Sequence, residues 1–371
     1  MSTRDELRAR VKAVVDQHVA PVARRMDADR VFLREPLEAL AAEGLVGAPI
    51  PKEYGGAGMT NVESVTVYEE TGRVCSSTRG FLAVQVGLVA QCILDWGSEE
   101  QKSHWLPRLC SMKSIGCYAL TEPEAGSDVA SMTTTAVLDN ETSGRITGEK
   151  WWITNGTIAD VGIVFARTSE DKHGGITAFL VTDLQAEKMN EPELGHRGSV
   201  HARIKFDNTP GTVIGGVGKG FTVAMTALEH GRLGVAAGAV GVHQACLDQV
   251  VQFARTRKQF GRRIGDFQLY QGDVADMATR LEASRQLCDQ AARLHDDGHP
   301  DRNRVTSMAK LFCTEAAAEA AGKAVVMLGA RGYNNAFPVE RYYRDIKGLE
   351  IYEGSSHIQR LIIARDVIGK P

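Results

Sequence analysis

Apolar residues recur near helical spacing through the first third of the chain, then give way to the short β-prone runs of a sheet. Leu7, Val11, Val14, Val15 and Val22 fall close to one face, which predicts a first helix with a buried side, opened by a capping-box pattern at Thr3 and Glu6. The segment Pro49 to Gly58 breaks this pattern as a glycine-rich loop, and Val62 to Val74 and Phe81 to Trp96 resume it. The second of these stretches is apolar on most sides, so it reads as interior.

From about Ser114 the runs Ile115 to Leu120, Thr133 to Leu138, Trp151 to Thr154, Val161 to Ala166, Ile176 to Val181 and His201 to Phe206 are separated by Gly, Asp, Asn and Pro clusters. That spacing predicts a small antiparallel sheet or barrel. Near Gly215 to Gly220 the chain returns to long helical patterns over Phe221 to Arg255, Phe267 to His295, Arg302 to Leu328 and the tail. The expected fold class is therefore α+β and multidomain: an N-terminal helical domain over 1–113, a β domain over 114–218 and a C-terminal helical domain over 219–371.

Composition changes this picture little. A length of 371 residues exceeds what one hydrophobic core usually serves. With 43% hydrophobic and 24% charged residues and a formal net charge of -3, nothing calls for nucleic acid or an anionic membrane as a partner. The seven cysteines are odd in number, widely spaced and never paired as C-x-x-C, so reduced core thiols in a cytoplasmic protein are expected. The N-terminus lacks the basic start and apolar core of a signal peptide, and no stretch is read as reaching the roughly 18 apolar residues of a membrane span. No H-x-H or G-x-S-x-G pattern occurs, so neither a metal site nor a serine hydrolase is expected.

Candidate chemistry concentrates at Ile351 to Arg360. Glu353 lies between an aromatic residue and a glycine, ahead of a helix that Ser356 and Gln359 would open as a capping box. A carboxylate there feels two opposed influences: the helix N-terminus favours its ionised form, and burial raises its pKa. A general base is one reading, a capping residue the other. Cys117 to Asp128 begins as a strand and ends in a polar turn, with hydroxyls at Tyr118 and Thr121 and close backbone approach at Gly126 and Ser127. Trp151 to Gly156 places two tryptophans before a turn, either packed in a hairpin or with Trp152 covering a flat ring and Thr154 bonding its edge. Arg255 to Arg263 clusters cations at a helix end, which suits either the helix dipole or a pyrophosphate. Gly329 to Tyr333 is a glycine-rich turn without the strand-then-helix setting of a dinucleotide fingerprint.

Taken in register, PKEYGGAG (51–58), LTEPEAGSD (120–128), WWITNG (151–156), GGVGKGF (215–221), RTRKQFG (255–261) and IYEGSSHIQRLIIARDVIG (351–369) resemble the acyl-CoA dehydrogenase family over nearly the whole chain. The resemblance implies a helical bundle, a central antiparallel β-barrel and a second helical bundle, with FAD between the last two, and homotetramers built from dimers. It implies that Tyr118, Leu120 and Thr121 touch the isoalloxazine, that Trp152, Ile153 and Thr154 pack around it, and that Ser127 helps fix FAD or the thioester tail. Arg257, Gln259 and Phe260, with the loop at Gly329, would reach the FAD of a neighbouring subunit. Ser355 would also contact the cofactor, while Glu229, Arg232, Tyr352 and Gly354 would contact substrate.

The implied reaction is α,β-dehydrogenation of an acyl thioester. Glu353 takes the α proton, flavin N5 accepts the β hydride, and the thioester carbonyl is held by the glutamate N–H and a ribityl hydroxyl. Some relatives carry the base immediately before the arginine matching Arg232, but that position is Gly231 here. Val326, Ala330, Ser355 and His357 depart from common family residues at the FAD adenosine end and the dimer contact. Electrons would leave to an electron-transfer flavoprotein or another acceptor. An acyl-carrier-protein thioester, a flavin oxidase or monooxygenase, and a non-catalytic scaffold are the alternatives. Gln85 and Gln91 would either line a polar acyl pocket or face solvent.

Overall fold

The computed structural model describes residues 3–189 and 191–369, with Thr3 described by its backbone alone, so the expected Thr3–Glu6 cap lies outside the described residues. The first part of the chain is helical: α1 (Thr3–His18), α2 (Ala20–Asp29), α3 (Glu35–Ala42), α4 (Asn61–Val74), α5 (Ser76–Leu82), α6 (Gln91–Trp96) and α7 (Glu99–Cys110). Val11, Val15 and Val19 are fully buried, as the periodicity of the first stretch requires. Capping boxes form at Thr60 with Glu63 and at Ser98 with Gln101.

Helices α5 and α6 are joined by a π-helical segment, Ala83–Ala90, into one span, Ser76–Trp96. This span is long and apolar enough to cross a membrane, contrary to the expectation from sequence, but 78% of its most apolar window is buried inside the protein. It serves as a core helix. Gln85 on it is fully buried and neither lines a pocket nor faces solvent: it donates to the carbonyls of Leu109 and Ser114 and accepts from the Gly116 N–H. That side chain fastens the helical part to the first strand. Gln91 is half-buried and donates to Asp95.

The middle of the chain forms β1 (Gly116–Ala119), β2 (Thr135–Asn140), β3 (Ser143–Thr154), β4 (Val161–Arg167), β5 (Ile176–Val181), β6 (Gln185–Lys188) and β7 (His201–Ile214). The expected all-antiparallel pairing is corrected to a mixed one, because β1 runs parallel to β4, with Gly116 opposite Val161 and Ala119 opposite Val164. The cause is the chain path. Asn155 takes a left-handed conformation (φ 67°) and a short 3-10 turn follows, so Trp151 to Gly156 does not close a hairpin and β4 pairs beside β1 instead of β3. β3 pairs β7 with register shifts at Ile146/Gly148 and Lys150/Ile153, and the second of these bulges re-aims Trp152.

Beyond the sheet come α8 (Gly220–Thr256), a two-stranded ribbon of β8 (Lys258–Gln259) and β9 (Arg262–Arg263), α9 (Gln268–Asp296), α10 (Arg302–Met327), α11 (Val339–Ile351) and α12 (Ser356–Ile368). The centre of α8 is buried on every side from Gly231 to His243, where small residues let α4 and α10 approach closely. All seven cysteines are buried and unpaired.

A buried ion pair fixes the exit of β1. Lys150 lies 2.8 Å from Glu122, with side chains 0% and 3% exposed, and also donates to the Leu120 carbonyl. The backbone N–H groups of Thr133 and Thr134 complete the shell around Glu122. Burial would raise this carboxyl, but the Lys150 charge and these hydrogen bonds hold it at about 2. Replacing Glu122 by Gln strands a buried ammonium, and we expect a cost of roughly 3–5 kcal/mol. The measurable outcome is a lowered melting temperature of the FAD-loaded protein, and an unchanged melting temperature would contradict this account.

Candidate active site

A cavity of about 400 Å³ opens where the end of β1, the β3 bulge, the α5 and π-helical span and the α11 end meet. Tyr118, Leu120, Thr121, Trp152, Ile153 and Thr154 all line it, as do Tyr352 and Glu353. Trp152 stands at φ 58° with its ring half exposed, whereas Ile153 beside it is buried. Two aromatic rings and two threonine hydroxyls therefore face one space that suits a planar heteroaromatic group such as the isoalloxazine of FAD.

Glu353 owes its position to a sharp elbow between two helices. α11 ends at Ile351, Glu353 takes φ 56° and Gly354 φ 91°, and α12 begins at Ser356. A left-handed glutamate costs on the order of 1–3 kcal/mol, so its surroundings must impose it. They do so through its carbonyls. Arg232 donates to the Glu353 carbonyl at 3.1 Å, and Gln359 donates to those of Glu353 and Gly354 at 3.3 and 2.9 Å. The expected capping box at Ser356 and Gln359 is thus absent: Ser356 is already helical, its hydroxyl has no partner, and Gln359 is engaged with the elbow.

The carboxylate itself has a buried oxygen, Oε2, without a hydrogen-bond partner. Burial pushes its pKa up to about 7, against the pull of Arg79, Arg232 and Lys310. Gly231 faces it directly: a Cβ there would lie 2.2 Å from Oε2, so any side chain at 231 would displace the carboxylate. Position 231 on α8 and position 353 in the elbow thus reach the same point.

Several residues at the cavity have no counterpart in the sequence reading. Arg79 is 1% exposed, donates to the Tyr352 hydroxyl, and keeps Nε and Nη1 unpartnered. A lone arginine in an apolar helix was the available signal. His196, at φ 53°, packs edge-on against Tyr352 and is tied to Asp345 through its backbone N–H and its ring. Burial first, then the charge of Arg79, drives its pKa down to about 3, so it is a neutral imidazole. Lys310 on α10 is fully buried beneath the elbow.

Other residues named from sequence lie elsewhere. Ser127 is exposed on the turn after β1. Glu229 is half-buried and 3.7 Å from Arg302, outside the cavity lining. Arg232 and Gly354 support the elbow from behind, and Ser355 is the residue before α12. Arg257, Gln259, Phe260 and Gly329 are all exposed and outside the lining, Phe260 at 92%.

Comparison with known proteins gives this arrangement a family. The acyl-CoA dehydrogenase N-terminal, middle and C-terminal domains match residues 2–113, 117–209 and 218–368. An acyl-CoA dehydrogenase of Bacillus subtilis is 39% identical over 372 residues, covering 98% of this chain and 97% of the relative. Among solved structures, a glutaryl-coenzyme A dehydrogenase with glutaryl-CoA superposes with a TM-score of 0.96 at 35% identity, covering 100% of this chain and 96% of the other. The prolyl acyl carrier protein oxidase AnaB superposes at 0.94 with 29% identity, each chain covered to 99%. The chain belongs to the acyl-CoA dehydrogenase family of FAD-dependent oxidoreductases.

Proposed function

We propose that the protein desaturates a short, polar acyl thioester between Cα and Cβ, with Glu353 as the base. The observation that carries this reading is the Glu353 carboxylate: buried at the cavity wall, with one unpartnered oxygen and a pKa raised to about 7. The α proton passes to Glu353, and the Glu353 N–H is the donor for the thioester carbonyl as negative charge develops on it. FAD, when bound, supplies the acceptor for the hydride that leaves Cβ.

The polar character of the acyl group follows from charge. Arg79, Arg232 and Lys310 surround the one carboxylate of Glu353, and Arg79 lines the cavity with two nitrogens unpartnered. A buried cation with unmet donors favours a substrate that brings a carboxylate or another strong acceptor. A carrier-protein thioester is the second reading, supported by the likeness to the prolyl acyl carrier protein oxidase. An electron-transfer flavoprotein is the acceptor that fits the family best. Self-association is supported by exposed Phe260, Tyr333 and Val326, apolar side chains around the ribbon and the end of α10.

Glu353→Gln is expected to remain yellow and to bind substrate analogues, with anaerobic flavin reduction slowed roughly 10³-fold or more. Retained reduction would require another base. For the wild type, kcat/KM should rise with pH through about 7, because the active form is the ionised carboxylate and activity is lost as pH falls through that value. A profile flat from pH 5 to 9 would sink this assignment. Arg79→Met should raise the Glu353 pKa and so slow both substrates at neutral pH, but lower kcat/KM for a short dicarboxylic acyl-CoA by roughly 10²-fold more than for butyryl-CoA. Equal losses on both substrates would assign Arg79 a structural role. Mixing the enzyme with acyl-CoA and acyl-carrier-protein forms of one acyl group separates the two tethers by rate of flavin bleaching.

A further inference from the structure

Three side chains converge on the carbonyls of the elbow, and one of them is a fully buried ammonium. Lys310 Nζ donates to the Glu350 carbonyl at 3.2 Å and to the Gly354 carbonyl at 3.0 Å. The first is an orphan acceptor in the last turn of α11, and the second belongs to the left-handed residue after Glu353. Lys310 therefore spans the elbow from the end of one helix to the residue after Glu353, with Glu353 between its two anchor points in the chain.

We propose that Lys310 is a positioning residue for the reaction: its ammonium locks the Glu350 and Gly354 carbonyls so that the elbow holds the Glu353 carboxylate against Gly231 at the cavity wall. The alternative, a lysine retained only for stability, does not account for its anchors. Cations are favourable beside the last carbonyls of a helix, but an exposed side chain provides that without the cost of complete desolvation. Here the lysine is spent on the two carbonyls that bracket Glu353. Without it, a left-handed glutamate is held by the neutral amide of Gln359 and by Arg232 alone.

The charge has a second effect on the same carboxylate. Arg79 from α5, Arg232 from α8 and Lys310 from α10 face Glu353 and favour its ionised form, and the hydroxyls of Tyr68 from α4, Tyr118 from β1 and the adjacent Tyr352 also face it. Lys310 itself faces Glu353, Arg232, Glu350 and Glu315, and burial lowers it to about 8, so it remains mostly charged at neutral pH. Removing it takes one of the three cations from the carboxylate, and Glu353 should then titrate higher.

This inference rests on Glu353 being the base, and the two can fail separately. The test uses the FAD-loaded enzyme with Lys310→Met, which keeps length and removes charge and donors, and with Gln359→Met, which removes only neutral donors. Lys310→Met should shift the midpoint of the pH profile of kcat/KM upward by about one unit, which is about tenfold in rate at pH 6, and lower kcat with little change in KM. Gln359→Met should lower kcat without moving the midpoint. A readout independent of turnover is ¹³C NMR of glutamate-labelled protein, where the resonance lost in Glu353→Gln reports the Glu353 titration and should move upward in Lys310→Met. If Lys310→Met fails to hold FAD, Lys310→Arg keeps the charge but not the geometry, and a retained midpoint with lowered kcat is expected. An unchanged midpoint and kcat in Lys310→Met, or unchanged kcat in Lys310→Arg, would overturn the proposal. Continued flavin reduction by Glu353→Gln would instead overturn the choice of base.

Discussion

The structure turns on one carboxylate held where it is costly to hold it. Glu353 occupies a left-handed backbone position, out of full contact with water, and one of its oxygens has no donor. Each of those conditions costs free energy, and together they require a rigid frame. The frame comes from four helices: α11 and α12 form the elbow, α8 contributes Arg232 and the space at Gly231, and α10 contributes Lys310. The C-terminal helices are thus organised to keep that carboxyl poised near neutrality.

The sheet solves a different problem with the same economy of means. Its surface must present a flat, partly apolar wall beside that carboxylate, and the two segments that do so come from separate strands. The Lys150–Glu122 pair ties the β3 bulge to the exit of β1, so that Thr121 and Trp152 line one cavity although they are far apart in sequence. Gln85 then bolts the β1 start to the core helix that carries Arg79. Polar side chains that are buried and fully satisfied specify relative placement more sharply than apolar packing does.

The distribution of charge follows from these placements. Arg79, Arg232 and Lys310 arrive from three different helices, and each is buried with its donors aimed at backbone carbonyls, at Tyr352 or at the cavity. Their combined field offsets part of the desolvation of Glu353, which keeps the carboxyl near 7 instead of far above it.

Periodicity alone located the long helices and six of the strand cores, because burial of one face imposes a 3.6 or a 2-residue repeat that the sequence must display. The motifs at 120–128, 151–156 and 351–360 were legible as unusual local chemistry, and their order identified the family. What sequence could not display was any feature that depends on two distant segments meeting. The parallel pairing of β1 with β4, the approach of Arg79 and Lys310 to Glu353, and the packing of His196 on Tyr352 are all of that kind. A lone arginine or lysine in an apolar helix reads the same whether it faces solvent or a buried carboxylate. Only the tertiary structure fixes the direction, because the energy that decides it lies in contacts between elements and not within them.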